Sequence, residues 1–554
     1  MPDYDAKDSR GKDPALREFF FREGSRYSEA QLKEAFGGGI LSENLINRLR
    51  ARKIIRCGNE LFDGDPDDLD VASNDMDKPY GMRFVGVAVC GSRVIYSVPK
   101  YEGEPSGDEL TSDAEARKEL TGHLLDVVTA VVKSGELKGT EQSEEGREEP
   151  SDNYLPIAFA LISDYYENGL YVNERIETRQ NLDGEILWDK TVNELSPIWV
   201  RGRPCYFDVF ARKRRVNEED FFTRLHQCVL SEITSKISGI GIEEFIDRLG
   251  YPLPDVVSES EMLEFGDDEL VISRINQELA IQFNTRKQEQ LKLIRAYINR
   301  RSQFQRSEFG LLGTCSFHTV WEKACKTVFG DQMEMAIKSR DLKLAAGDSL
   351  RGVTAETPLG QYIENPIWKI IRNDHAKDDQ VQKEKNTLRP DCLRIKKGED
   401  GYFDIIDAKY YLIKCDKNGR LSGNPGVGDV TKQFLYDYEY RPLLKVNGIP
   451  LDGEHIFNCF LVPRDVAQNN GLNEEVPKVD CFGEVNMPWL QSLDAEAVSA
   501  DAEETVRVRK LPSIQVWKIS ARWLLSAYNT GNWYLKDEQS ISEWLRDNEK
   551  EKDE

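Results

Sequence analysis

Histidine is scarce in this chain: there are five in 554 residues, widely spaced. No HExxH or comparable ligand set can be built from them. The ten cysteines include no CxxC and no close Cys/His pairing. That argues against structural zinc and fits reduced thiols in a cytosol. No apolar run reaches the roughly 18 residues a membrane-spanning helix needs. The opening stretch, MPDYDAKDSRGKDPALREFF, is charged and lacks the apolar segment of a signal peptide, so a cytoplasmic protein is expected. Positive charge is also short, with 74 Lys and Arg against 98 Asp and Glu and a net charge of −24. This excludes a protein that coats nucleic acid unaided. It does not exclude a local nucleic-acid site, because residues 102–153 and the tail Asp547–Glu554 hold much of the acidic excess. The sign implies that DNA is delivered, or gripped locally, with a partner's help.

What is present is the composition of a globular protein, 39% hydrophobic and 10% aromatic. The length suggests about three or four domains. Residues 1–14 read as a disordered tail. Residues 15–60 read as helices around a turn: Ser28-Glu29-Ala30-Gln31 has capping-box spacing, and Ala35-Phe36-Gly37-Gly38-Gly39 breaks the pattern. LSENLINRLRARKIIR then places Leu41, Leu45, Ile46 and Leu49 on one side and Arg48, Arg50, Arg52 and Lys53 on the other. That is a helix-turn-helix-like unit for a major groove, or a helical pair with a solvated basic face. Residues 61–257 read as an α+β region with an acidic insertion at 134–153. It contains a strand pair turning at Cys90-Gly91-Ser92 and a second β region with a hairpin turn at Asp183-Gly184. Residues 258–306 read as a helical stalk. Residues 307–554 read as a mixed sheet flanked by helices.

The chemistry concentrates in residues 388–411, LRPDCLRIKKGEDGYFDIIDAKYY. Pro390-Asp391 is followed, sixteen residues after the aspartate, by Asp407-Ala408-Lys409. Between them lie strand Leu388–Lys396, a turn at 397–401 and strand Tyr402–Tyr411. Strand side chains alternate, so Phe403, Ile405, Asp407, Lys409 and Tyr411 share one face, and Asp391, Leu393 and Ile395 share one. Two carboxylates and an amine thus emerge from apolar faces, which is costly without a task. A metal ion supplies the task. This is the pattern of a PD-(D/E)xK nuclease, so a PD-(D/E)xK restriction-endonuclease-like domain is expected at 307–554.

Phosphodiester hydrolysis needs an activated water and a stabilised leaving oxygen, and Mg2+ serves both through oxygen ligands, with Mn2+ as a substitute. Asp391 and Asp407 supply hard oxygens, with the Ala408 carbonyl as a third ligand. Lys409 would orient the water or neutralise charge on the phosphate. Glu322, beside the apolar stripe Phe317, Val320, Trp321, Ala324 and Val328, is either a further metal ligand or a solvated glutamate. Gln433, sharing a helix face with Tyr436 and Tyr440, either binds a phosphate or water or is a surface amide. Asp404 falls on the opposite face from Asp407. His226 and His318 read as packing residues.

The chain resembles the LlaJI-type restriction endonucleases, whose nuclease chain is similar to McrC of the McrBC systems. The resemblance runs through FVGVAVCGSRVIYSVPKY, DGEILWDKTV, PCYFDVFARKRRV, TRLHQCVLSEI, GTCSFHTVWEKACKTVFGD, RPDCLRIKKGEDGYFDIIDAKYY, TKQFLYDYEY and FNCFLVP. It covers most of residues 80–465. It implies that Asp391, Asp407 and Lys409 form the catalytic triplet, that Glu322 is the upstream helical acid, and that Gln433 is the glutamine of the downstream helix. It further implies a two-part machine in an antiviral restriction system. An McrB-like AAA+ GTPase or ATPase would handle double-stranded DNA, and this chain would plug into its ring and cut. The partner contact is expected in 171–212, with Arg201, Arg203 and the Arg212–Arg215 cluster as candidates for that contact or for phosphate binding. Double-strand cutting would bring two nuclease domains together. A catalytically silent adaptor that stimulates the AAA+ partner is one alternative. A repair or transposition nuclease of the same fold is the other.

Overall fold

The computed structural model describes residues 17–36, 45–57, 77–90, 93–103, 114–135, 155–216, 220–240, 246–247, 250–306, 309–369, 381–383, 387–465, 479–491, 511–531, 535 and 539–549. The expected tail at 1–14 and the bulk of the acidic insertion lie outside them. The chain forms two compact units: one of Met1–Leu16, Val89–Ser92 and Lys138–Leu311, the other of Arg17–Ala88, Arg93–Leu137 and Leu312–Glu554. This division differs from the linear one read from the sequence. Segments expected in an N-terminal region belong to the same unit as the motif at 391–409.

The elements used below are β1 (Arg17–Arg22), β2 (Val85–Cys90), β3 (Arg93–Val98), α1 (Ala114–Ser134), β4 (Phe309–Thr314), α2 (Phe317–Val328), β5 (Cys392–Lys396), β6 (Tyr402–Ala408), α3 (Val427–Val446), β7 (Ile456–Pro463), β8 (Val479–Val485), β9 (Ile514–Ile519), α4 (Ala521–Thr530) and α5 (Ile541–Glu549). A four-stranded sheet runs β1-β3-β2-β4. Its β2–β4 neighbours cross closely: a Cβ on Gly86 would lie 2.3 Å from the Leu312 carbonyl oxygen, and one on Gly313 2.1 Å from that of Val85. Only glycine admits that approach.

The sequence reading of 15–60 as helices is corrected at its start. REFFFR is β1, paired in parallel with β3 from Arg17↔Arg93 to Arg22↔Val98. Three consecutive phenylalanines suit a half-buried strand better than a helix face. Helices Glu29–Phe36 and Leu45–Ala51 follow. They are accompanied by a three-stranded sheet of Arg26–Tyr27, Tyr80–Met82 and Ile55–Cys57, so the unit is α+β and not a helical pair. The capping box is present: Ser28 N–H donates to Gln31 Oε1 at 2.9 Å, and Gln31 N–H to Ser28 Oγ at 3.3 Å.

The second sheet is mixed, in the order β5-β6-β7-β9-β8. The β5–β6 hairpin is antiparallel, β7 and β9 add in parallel, and β8 closes the edge antiparallel. Leu393, Ile395, Phe403 and Ile405 of the hairpin pack with Tyr436, Tyr440, Leu443 and Leu444 of α3. Phe460, Val462, Ile514 and Val516 meet Val430 and Phe434 farther along the same helix. The alternation read from the sequence sets this face, because period 2 puts every second residue toward α3.

Asp404 does point the other way. It is fully buried, and its Oδ2 accepts the Ile541 N–H at 2.7 Å, at the start of α5. Its other oxygen has no hydrogen-bond partner. Burial pushes its carboxyl up to about 7, against lowering by the Ile541 N–H and by Arg394. The folded state therefore holds a proton that the unfolded chain releases near pH 4. Stability contributed by that proton is full below about pH 4 and is lost as pH rises toward 7, roughly 4 kcal/mol at most. Asp404→Asn should cancel that loss: its melting temperature should exceed wild type at pH 8 and match it near pH 4. Equal differences at both pH values would refute the assignment.

In the other unit, Glu174–Gln180 and Glu185–Ile186 both pair with Phe210–Val216. The expected hairpin turn at Asp183-Gly184 is thus corrected: the two strands flank a third instead of pairing with each other. Gly184 serves a close approach there, its Cβ direction meeting the Arg212 carbonyl oxygen at 2.3 Å. The expected stalk is helices Asp268–Ile281 and Thr285–Arg306. His226 is buried and accepts the Tyr171 N–H at 3.0 Å through Nδ1, a packing role as expected. Among the described residues no helix is long and apolar enough to cross a membrane.

Candidate active site

Pro390 has no N–H and stops the β5 ladder one residue short of Asp391. The backbone strand starts at Cys392, paired with Ile406. Asp391 therefore faces Asp407 just past the end of the ladder, and its side chain substitutes for the missing backbone partner: the Ala408 N–H donates to Asp391 Oδ2 at 2.9 Å. On the other side of β6, Asp407 and Ala408 pair with Phe460 and Leu461 of β7, and the Lys409 N–H donates to the Leu461 carbonyl at 3.0 Å. The observed strand ends at Ala408 and not at Tyr411. Lys409 is consequently the first residue beyond the strand, held by one backbone bond.

The two carboxyls face each other just past the last paired residues Cys392 and Ile406, and Asp407 is buried. Burial, then the charge of Asp391, pushes the Asp407 carboxyl well above the usual range, while Lys409 pulls it down. Lys409 Nζ lies 3.2 Å from Asp407 Oδ2 and 3.7 Å from Asp429 Oδ1. Burial acts to lower its ammonium pKa, but Asp407, Asp429 and Asp391 together outweigh burial and raise it. The lysine is thus a fixed positive charge in an acidic recess.

Asp429 was not singled out from the sequence. It sits in the first turn of α3, four residues before Gln433, so the helix face read as Gln433, Tyr436 and Tyr440 extends back to it. Tyr436 Oη donates to the Arg389 carbonyl at 2.9 Å, and Tyr440 Oη to that of Leu359 at 2.6 Å. Burial, then Asp407 and Asp391, raises the Tyr436 hydroxyl. Gln433 is fully buried, not a surface amide. Its Nε2 donates to the Cys459 carbonyl at 3.0 Å, and its Oε1 has no hydrogen-bond partner.

Glu322 lies on α2, beside the buried stripe Phe317, Val320, Trp321 and Ala324. Burial, then Asp391, raises its carboxyl, with Lys409 among the charges acting against that rise. It is therefore within electrostatic reach of the pair. Yet among the described residues no three His, Cys, Asp or Glu side chains are gathered closely enough to hold a metal ion. Glu322 thus stands apart from Asp391 and Asp407 as they are arranged. Two juxtaposed carboxylates with a backbone carbonyl at hand still fit a hard divalent cation. Magnesium is commonly bound through one or two carboxylates and keeps several waters.

Comparison with known proteins adds the family. The sequence profile of the LlaJI restriction endonuclease matches residues 84–340 and 359–503. The type II restriction enzyme BsuMI component YdjA of Bacillus subtilis (strain 168) is 28% identical over 492 residues, covering 88% of each chain. Two solved structures from Thermococcus gammatolerans align more weakly. One is a half-complex from a tetradecameric assembly of McrB AAA+ hexamers with bound McrC; at 11% identity and a TM-score of 0.34 it covers 93% of this chain and 98% of that one. The other is the McrBC complex, at 12% identity and a TM-score of 0.22, covering 52% and 86%. The profile matches well over half of the residues, on both sides of the Asp391–Asp407–Lys409 cluster, and on that ground the chain belongs to the LlaJI restriction endonuclease family.

Proposed function

We propose that this chain is the DNA-cutting subunit of a restriction system, a divalent-metal-dependent endonuclease of the PD-(D/E)xK type. The observation that carries the reading is the facing pair Asp391 and Asp407 with Lys409 Nζ at 3.2 Å. Asp391, Asp407 and the Ala408 carbonyl would hold Mg2+, with Glu322 reaching it through a water. The ion supplies charge neutralisation and a more acidic bound water when present. Asp391 is oriented by the Ala408 N–H, so its second oxygen keeps a fixed direction. Lys409, ionised and drawn forward by two aspartates, is placed to meet negative charge developing on a phosphate. Gln433 holds α3 to β7, and its remaining acceptor suits an ordered water.

The strongly acidic chain needs help to hold DNA, and the sequence resemblance supplies an McrB-like AAA+ NTPase for that work. The other unit carries a suitable contact for it. The strand pair Ile198–Val200 and Arg203–Cys205 exposes Ile198, Trp199 and Val200, with Arg201 and Arg203 beside them and Phe207 nearby in sequence. Arg212 is less available, being paired with Glu185 at 2.7 Å. Two copies acting on opposite strands would give a double-strand break.

The test is plasmid cleavage by the purified chain with Mg2+, an McrB-like AAA+ protein from the same source, and ATP or GTP. Linear product that is lost with chelator is expected. Accelerated nucleotide hydrolysis without cleavage under Mg2+ or Mn2+ would overturn the nuclease reading in favour of an adaptor.

A further inference from the structure

Lys409 is followed by Tyr410, which faces a different environment. Its ring lies 5.1 Å from Phe317 and 6.3 Å from Trp321, both on α2, and 6.2 Å from Tyr101. Its hydroxyl donates to Glu23 Oε2 at 2.6 Å and accepts the Lys100 N–H at 3.2 Å. The same Glu23 oxygen accepts that N–H at 3.2 Å. The Lys100 ammonium sits 4.5 Å above the Tyr410 ring. A three-way clasp thus joins the residue after Lys409 to a partner 387 positions away in sequence.

Both partners are anchored. The Glu23 N–H donates to the Val98 carbonyl at 2.9 Å, which ties the end of β1 to β3. Arg22 donates to the Glu102 carbonyl at 2.6 Å and also to that of Lys100. The Glu102 carboxylate takes Arg522 of α4 at 2.7 and 3.0 Å and lies 3.1 Å from His123 Nε2. Tyr101 Oη meets the same histidine nitrogen at 3.0 Å. Residues 100–102 are therefore pinned from two sides, and Tyr410 is bound to a rigid point.

Lys409 itself has no such fixture. Beyond the end of β6 it keeps its backbone bond to Leu461 and two ion pairs. On the proposed reading that Lys409 acts on the phosphate, we infer that Tyr410 is a positioning residue. The Glu23–Tyr410–Lys100 clasp fixes the backbone after Ala408 and so sets where the Lys409 ammonium stands. A small displacement of a charge at a reacting phosphate is expensive in rate. A buried tyrosine hydroxyl lost elsewhere in the unit costs only stability.

Tyr362 gives the comparison, since its buried hydroxyl donates to Asp348 Oδ1 at 3.0 Å. Tyr410→Phe should lower kcat about tenfold with KM little changed. Tyr362→Phe should lose comparable melting temperature and keep kcat. Glu23→Gln, which retains an acceptor, should recover most of the rate that Glu23→Ala loses. The double variant Glu23→Ala with Tyr410→Phe should be no slower than the worse single. Equal kcat losses in Tyr410→Phe and Tyr362→Phe, or multiplying losses in the double variant, would overturn the clasp. A second readout is independent of cleavage: acylation of Lys409 in the full chain, followed by mass spectrometry. Tyr410→Phe should change its rate several-fold while Tyr362→Phe leaves it unchanged. No change in either sinks the positioning role even if the nuclease reading stands. A changed rate in a protein that does not cut sinks the nuclease reading and leaves the clasp.

Discussion

Asp407→Asn and Lys409→Ala should each reduce plasmid cleavage by about a thousandfold, and they should move stability in opposite directions. The rate loss follows from the arrangement. Asp407 is the buried member of a facing carboxyl pair, and Lys409 is the cation that balances it. On the proposed nuclease reading, removing either takes away a carboxylate that would hold the metal or a charge that has no substitute at that point. The stability signs differ because the pair is frustrated. Burial and Asp391 drive the Asp407 carboxyl well above its usual range. Turning it into an amide relieves that repulsion, so the metal-free melting temperature should rise. Removing Lys409 leaves Asp407, Asp391 and Asp429 without their shared cation, so the melting temperature should fall. Cleavage time courses and thermal melts of the same preparations read both effects. Near-wild-type cutting by either variant would move the active site elsewhere. Falling stability in both would mean that the acids are structural.

How far the sequence disclosed this follows from the range of each interaction. The β5–β6 hairpin was legible because alternation has period 2, and a five-residue turn containing two glycines separates its strands. The helix before it was legible from the apolar spacing of Phe317, Val320, Trp321, Ala324 and Val328. The same alternation set Asp404 apart from Asp407, and the structure gives Asp404 a separate partner in the Ile541 N–H. The misreadings came where pairing is non-local. REFFFR has charged ends and an aromatic centre that fit either period, and only its parallel register with Arg93–Val98 makes it a strand. Asp183-Gly184 looks like a hairpin turn until the third strand, Phe210–Val216, comes between. Asp429 carried a legible clue, the i, i+4 step to Gln433, but a first-turn aspartate is ordinarily a dipole effect. The clasp at Tyr410 carried none, since Glu23 and Lys100 reach it only through the fold.

The fragment 307–554, the nuclease domain suggested by the sequence, should fail to fold by itself. The reason lies in α1. Leu124, Val127, Val128 and Val131 of that helix are fully buried, and α1 packs on α2 and α4. Polar contacts follow the same surface: Lys133 Nζ donates to the Tyr528 carbonyl at 2.5 Å, Lys323 Nζ to that of Ser134 at 2.8 Å, and Asn529 Nδ2 to that of Asp126 at 2.8 Å. Arg522 loses Glu102 and Glu119 when residues 17–137 are removed. Four fully buried aliphatic side chains represent about 6–12 kcal/mol of transfer free energy. That is comparable to the whole stability of a domain, roughly 5–15 kcal/mol. The bare fragment should therefore aggregate or melt without cooperativity. A chain keeping residues 17–137 and 309–554, joined by a flexible linker in place of 138–308, should give a cooperative melt, because all the buried α1 partners are restored. A cooperative melt of 307–554 near the full-length temperature would show that the N-terminal segments merely rest on the nuclease. Failure of both pieces with survival of the full chain would assign a folding role to the other unit. The expected outcome makes residues 17–137 part of the folded unit that carries Asp391, Asp407 and Lys409, which is the condition for Glu23 and Lys100 to govern a residue at position 410.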